Sequence, residues 1–321
     1  MHRKITAGLA LGAAVATWCT AMPAAAIDLT SPDGTWKFSL DGNVNVDYIY
    51  SNCEQACSVK AIVTVGGACT GTASGNSVSN IGNGLLPAAF TFGVSTTQAG
   101  IDLSAHLGLY PGIDTNDGGS PNLQATVGGP TNGALGTTGL DVRQVYMTFG
   151  NKDMGTFTLG RNFGLFGFDA IVNDMTLLGV SVRGSMSGPS PANTSLGSID
   201  FGYIYTDTLA QINYTTPVFG GANVTVGIFD PLNSLTEPGR TPAAKTAPGF
   251  HGKIGWSTKF SDDVKLSLSA PGITQKQQYD LTATTYGGYQ SSGGDVFAKL
   301  DIGGLSLMAS GYDGTGKIVW S

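Results

Sequence analysis

The stretch Trp36-Lys37-Phe38-Ser39-Leu40-Asp41-Gly42-Asn43-Val44-Asn45-Val46-Asp47-Tyr48-Ile49-Tyr50 decides the fold. Its even positions are Trp36, Phe38, Leu40, Gly42, Val44, Val46, Tyr48 and Tyr50, and its odd positions are polar up to Ile49. Side chains of a strand point alternately to its two faces, so this period of two predicts a strand with one apolar and one polar side. A run of about fifteen residues exceeds the usual strand of a soluble protein. The apolar face is aromatic at both ends and aliphatic between them. A strand that crosses a bilayer needs that arrangement, with aromatic rings at the two interfaces and polar groups toward a lumen.

The same alternation recurs along the chain. Phe90, Phe92 and Val94 precede a turn at Gln98-Ala99-Gly100, and Ile101, Leu103, Ala105, Leu107 and Leu109 follow it. Val145, Met147 and Phe149 oppose Gln144, Tyr146 and Thr148, and Phe157 and Leu159 come after the next turn. Further strands are expected within 200–214, 222–229, 253–260, 264–270, 295–300 and 305–310, about eleven in all before Tyr312. The connections alternate as well. Tight ones carry Gly and Asp, at Ala99-Gly100, Asp153-Met154-Gly155, Gly220-Gly221, Asp262-Asp263 and Gly303-Gly304. Long polar ones span 52–85, 111–139, 162–198, 231–249 and 272–293. Short turns on one side and long loops on the other are the layout of an all-β, transmembrane antiparallel β-barrel, and a soluble domain rarely holds five such loops. An open sheet edge cannot sit in lipid, and bacterial single-chain barrels have even strand numbers. With Ile318-Val319-Trp320-Ser321 beginning another alternating segment, the expectation is a C-terminally truncated chain.

Composition narrows the class. Residues 1–26 read as a secretory signal: His2, Arg3 and Lys4, an apolar run from Ile5 to Thr20, then Ala24-Ala25-Ala26 before cleavage. The barrel domain is therefore expected over 27–321, and the mature chain holds 14 Lys and Arg against 22 Asp and Glu. No basic patch remains for nucleic acid. Only 12% of residues are charged and 48 are glycine, unlike an ordinary soluble globule. Cys53, Cys57 and Cys69 permit one disulfide, of unspecified pairing, in an oxidising compartment. No His lies near them to suggest a metal site, and no cofactor is indicated.

Chemical motifs are sparse. Gly311 to Lys317 spells G-x-x-x-x-G-K but continues with Ile318, where a phosphate-binding loop needs Ser or Thr. His106 and Asp102 share the polar phase of one strand, the one arrangement compatible with a membrane-barrel hydrolase. A secreted adhesin would show a repeat of fixed period, and none occurs. The polar phase assigns Lys37, Asp41, Asp47, Asp102, His106 and Lys253 to the lumen.

Three stretches resemble the trimeric general porins of proteobacteria: Phe90-Thr91-Phe92-Gly93-Val94; Arg143-Gln144-Val145-Tyr146-Met147-Thr148-Phe149-Gly150 with Gly155-Thr156-Phe157-Thr158-Leu159-Gly160-Arg161-Asn162-Phe163-Gly164; and Ile212-Asn213-Tyr214-Thr215-Thr216-Pro217-Val218-Phe219-Gly220-Gly221. The resemblance implies a sixteen-stranded barrel in the outer membrane of a Gram-negative bacterium. It also implies a homotrimer and passive diffusion of small hydrophilic solutes and ions through a water-filled pore. In that family the loop after Gly-Arg-Asn folds into the pore, and its acids face a basic wall. Carried over, Arg161 joins the wall, Asp169 and Asp174 are the loop acids, and Arg183 adds a cation from the loop. Arg161 shares the phase of Phe157 and Leu159, so the resemblance requires a bulge at Gly160 to turn it inward. Thr91 and Asn43 replace basic residues of the family, which with Asp41, Asp47 and Asp102 predicts a mild cation preference. The alternative is a substrate-specific channel, which would show a basic or aromatic track along the lumen.

Overall fold

The computed structural model describes residues 27–44, 46–52, 77–82, 88–111, 113, 124–126, 129–131, 140–173, 208–231, 241–242, 245–282 and 285–315. In chain order these form β1 (Ile27–Thr30), β2 (Trp36–Asn43), β3 (Asp47–Asn52), β4 (Ser77–Gly82), β5 (Ala89–Gln98), β6 (Ile101–Pro111), β7 (Gln124–Thr126) and β8 (Gly129–Thr131). There follow β9 (Leu140–Asn151), β10 (Gly155–Phe163), the helix α1 (Phe168–Val172), β11 (Thr208–Thr215), β12 (Ala222–Phe229) and β13 (Thr241–Pro242). The remaining strands are β14 (Gly249–Ser261), β15 (Val264–Thr282), β16 (Thr285–Ile302) and β17 (Leu305–Thr315). One antiparallel sheet runs β1-β2-β5-β6-β9-β10-β11-β12-β14-β15-β16-β17, and β13 pairs with β15. Among the described residues its first and last strands are not hydrogen-bonded to each other. No described helix is long and apolar enough to cross a membrane.

The expected tight connections are the turns of this meander. Ala99 and Gly100 have φ of 51° and 79°, and Gly220 and Gly221 have φ of 58° and 81°. Two successive residues at positive φ match the twist of flanking strands, which is why such hairpins favour glycine there.

The two faces are inverted relative to a soluble protein. Phe38, Phe92, Met147, Ile212, Val226, Ile254 and Leu307 are all exposed, whereas Gln211, Asn213, Thr225, His251, Gln275 and Ser291 are buried. Burying apolar area is worth roughly 25 cal/mol per Å², so an apolar face this continuous is stable only when covered by something other than water. Bilayer hydrocarbon supplies that cover, and hydrogen bonds link polar side chains across the strands on the other face. Ser104 and Thr148 hydroxyls lie 2.6 Å apart across β6 and β9, and Thr215 and Thr225 lie 2.9 Å apart across β11 and β12.

Three expectations change. The fifteen-residue strand from Trp36 to Tyr50 is two strands: β2 pairs β5 up to Asn43–Ala89, and β3 pairs β4 from Asp47–Gly82 onward. The alternation continues through Val44 and Val46, but the partner arms differ in length between the two ladders, so one ladder cannot span both. Residues 272–293 are not a loop. β15 and β16 pair from Gly272–Gly294 to Thr282–Thr285, as one hairpin of 19 and 18 residues. Its Thr and Tyr content favours strand despite the glycines. Finally, β1 pairs with β2 from Ile27–Leu40 to Thr30–Lys37, an element too short for periodicity to reveal. Cys53, Cys57, Cys69, Asp174 and Arg183, with the segments 200–207 and 316–321, lie outside the described residues.

Candidate functional site

At the end of β10 the chain leaves the wall. Gly164 follows Phe163, and Gly167 adopts φ 71° just before α1, a conformation costly for residues with a Cβ. The segment then meets strands three to five places further along the sheet. Asp169, in the first turn of α1, accepts a 2.6 Å hydrogen bond from Ser269 Oγ on β15. Its carboxylate also lies 3.3 Å from Lys253 Nζ on β14. Asp295 on β16 accepts the Gly167 N–H at 2.6 Å. Asn173 Nδ2 donates to the Asp169 carbonyl at 2.8 Å, and Lys299 Nζ on β16 donates to Asn173 Oδ1 at 3.2 Å. The Asp301 carboxylate stands 3.6 Å from the same Lys299 Nζ.

Apolar contacts complete the docking. Phe166 is buried against Gly293 of β16, where an added Cβ would stand 3.2 Å from the ring. Phe163 and Phe168 lie 5.5 Å apart between ring centroids, and Lys253 Nζ sits 5.5 Å from the Phe168 centroid. Residues 164–173 therefore cross the polar side of the sheet and are tied to three strands by two carboxylates, two lysines and one serine. In a medium of lowered dielectric such pairs are strong and their geometry is fixed.

A polar network supports the root of this segment. Gln211 Nε2 donates to the backbone carbonyls of Asn162 at 2.6 Å and Phe163 at 2.8 Å. Its Oε1 accepts from Asn213 Nδ2 at 2.6 Å, and Asn213 Oδ1 lies 2.7 Å from His251 Nε2. The two backbone carbonyls can only accept, so the network has one consistent direction and His251 Nε2 carries the proton. On the β9 side, Gln144 Nε2 donates to Asn162 Oδ1 at 2.9 Å, while the Tyr110 hydroxyl donates to Gln144 Oε1.

The expected site residues separate into groups. Asp169 and Lys253 come together. Lys37 and Asp41 lie exposed on β2 in the polar phase; Asp47 belongs to β3, away from the main sheet. Asp102 accepts a 2.6 Å hydrogen bond from Thr97 at its hairpin turn, and His106 stacks on Tyr146 with centroids 5.0 Å apart. These two do not form a catalytic pair.

The bulge at Gly160 expected to turn Arg161 inward is not formed. Leu159–Met147, Gly160–Tyr146 and Arg161–Val145 pair in unbroken register, so no extra residue reverses the phase. Gly160 has φ 125°, and a Cβ there would stand 2.3 Å from the Val145 carbonyl. The glycine admits a close strand approach without turning its neighbour inward. Arg161 continues the exposed row Ile27, Leu40, Phe92, Leu107 and Val145. Lys253 and Lys299 are the lysines that residues 164–173 meet. Ser269, Asp295, Lys299 and Gln211 were not singled out by sequence. Each sits in the polar phase of an alternating strand, the one signal that could have nominated it.

Comparison with known proteins agrees with this architecture. The family profile described as Gram-negative porin matches residues 10–317. No curated protein matches the sequence. The outer membrane channel DcaP of Acinetobacter baumannii is similar in structure, with a TM-score of 0.49, at 13% identity over 88% of this chain and 65% of that one. The anion-selective porin from Comamonas acidovorans has a TM-score of 0.43 at 15% identity, over 86% of this chain and 72% of that one. Salmonella typhi OmpF, in complex with daunomycin, has a TM-score of 0.40 at 12% identity, over 91% and 82%. The chain thus spans about two thirds of the Acinetobacter channel's length.

Proposed function

The chain belongs to the Gram-negative porin family, and from that premise we propose that its pore is a water-filled passage for passive diffusion of small hydrophilic solutes and ions, narrowed by residues 164–173. It is an outer-membrane channel and not an enzyme. The observation that carries the finer reading is the contact of Asp169, six residues after the end of β10, with Ser269 and Lys253 on distant strands. A segment lying along the outer rim would not reach them.

The chemistry of such a narrowing follows from its lining. Asp169, Asp295, Lys253 and Lys299 set fixed charges of both signs around the segment, with the Ser269 hydroxyl on the Asp169 carboxylate. Polar solutes and hydrated ions can exchange water for these groups, and apolar solutes cannot. Residues 1–26 direct export, and three copies assemble in the membrane. Single-channel recording of the full-length protein in planar bilayers tests the reading, alongside a variant in which 165–172 is replaced by a short Gly-Ser linker. Discrete steps that grow larger in the variant support it. Equal steps overturn the narrowing, and absence of any step from folded protein overturns the channel. Cross-linking and mass measurement in mild detergent test the trimer, which a monomer would refute.

A further inference from the structure

We propose that Gln211 is a positioning residue that sets the pore's aperture, holding residues 164–173 at their root through two carbonyls. This rests on the proposed narrowing. Where β10 ends, the carbonyls of Asn162 and Phe163 face a chain that is turning out of the sheet. Gln211 Nε2 has two hydrogens and gives one to each carbonyl. One side chain thus fixes two successive peptide planes, and with them the direction in which the segment departs.

The clamp is itself held. Gln211 and Asn213 are 5% and 6% exposed, and His251 is also 5% exposed. Asn213 donates to Gln211 Oε1, which prevents the amide from flipping, and His251 Nε2–H donates to Asn213 Oδ1. Phe229 covers the imidazole with centroids 5.0 Å apart. A buried network with one allowed direction is rigid, because reversing any member leaves a buried donor facing a donor. The far end of the segment is anchored separately, by Asp295, Ser269 and Lys253. Loss of Gln211 therefore frees the root while the tip stays docked, and the segment rocks across the pore.

The test uses the full-length protein in planar bilayers with two variants. Gln211→Leu keeps approximate volume and removes both donors. Gln211→Glu keeps shape, and its ionised form turns two acceptors toward two carbonyls. Its protonated form restores one O–H donor and still accepts from Asn213. The expected result is excess open-channel noise and brief closures in both variants at neutral pH, with closed time raised roughly ten-fold, as losing the hydrogen bonds to two carbonyls would produce. On acidification Gln211→Glu returns toward wild type measured at the same pH, while Gln211→Leu does not. Barrel melting stays near wild type, since the wall ladders are intact. A purely structural role would lower melting in both variants and give no acid rescue. Variants with wild-type noise overturn the proposal while leaving the channel reading intact, and failure of both to fold overturns it by assigning Gln211 to barrel assembly. A wild-type protein without conductance refutes the channel reading instead.

Discussion

If residues 164–173 narrow the pore as proposed, Asp169 and Lys253 are opposite charges there that partly cancel. They lie 3.3 Å apart, and Ser269 adds a hydroxyl to the same carboxylate oxygen. Asp169→Asn is expected to leave Lys253 uncompensated and to shift the permeability ratio toward anions by about a factor of two, since screening is weak within about 10 Å at moderate salt. Lys253→Met should shift it toward cations. Reversal potentials in a salt gradient measure both, and shifts of the same sign would contradict the pairing. Arg161→Ala should leave selectivity unchanged, because its register places it among exposed apolar residues; a clear shift toward cations would put its guanidinium back in the pore. The sequence marked Asp169 and Lys253 one by one, through a family resemblance and a strand phase. Their meeting was not legible, because it depends on where a segment lands 84 residues away along the chain. At Arg161 the family motif and simple alternation conflict, and the unbroken β9–β10 register follows alternation.

Among the elements, the turns and the apolar phases were legible because glycine pairs and period two are local signals. The β15–β16 hairpin was not, since four glycines and many polar residues between 272 and 293 imitate a loop. A tilted strand crosses a bilayer in about 9–11 residues, so strands of 19 and 18 residues project well beyond it. Gln290→Cys is expected to react with a membrane-impermeant maleimide on intact cells, whereas Phe260→Cys, beside the short turn at Asp262-Asp263, should not. Equal labelling would place the hairpin inside the membrane. The β1–β2 turn carries its own titration. Hydrogen bonds from the hydroxyl of Ser31, and then from the hydroxyl and amide of Thr35, hold the Asp33 carboxyl down at about 2 instead of 3.8. A lowered folded value stabilises the turn fully above the unfolded value, and the contribution is lost as pH falls through the folded one. Carboxyl chemical shifts of Asp33 should therefore titrate near pH 2; a midpoint near 3.8 would mean that the turn is not formed. In β10, Gly160→Ala is expected to cost about 1–3 kcal/mol from a backbone at φ 125° and a blocked Cβ, read as a lower melting temperature.

At the scale of the whole molecule, the distribution of polarity is the main physical fact. Apolar side chains cover one face of a twelve-strand path, and hydrogen-bonded amides, hydroxyls and an imidazole fill the other. Such a sheet is unstable in water on one side and in hydrocarbon on the other, so it must separate the two. A lumen lined this way holds water, and in the proposed reading the segment after β10 narrows it. The account's central claim is passive passage through that water, limited by size and not by recognition. Liposome swelling with uncharged sugars of increasing mass tests it most directly, using the full-length protein. The account predicts swelling for every small sugar, with rates that fall steeply and smoothly as mass rises, independent of sugar stereochemistry. Rates that single out one sugar over others of equal mass, or no swelling at all from folded protein, would contradict it.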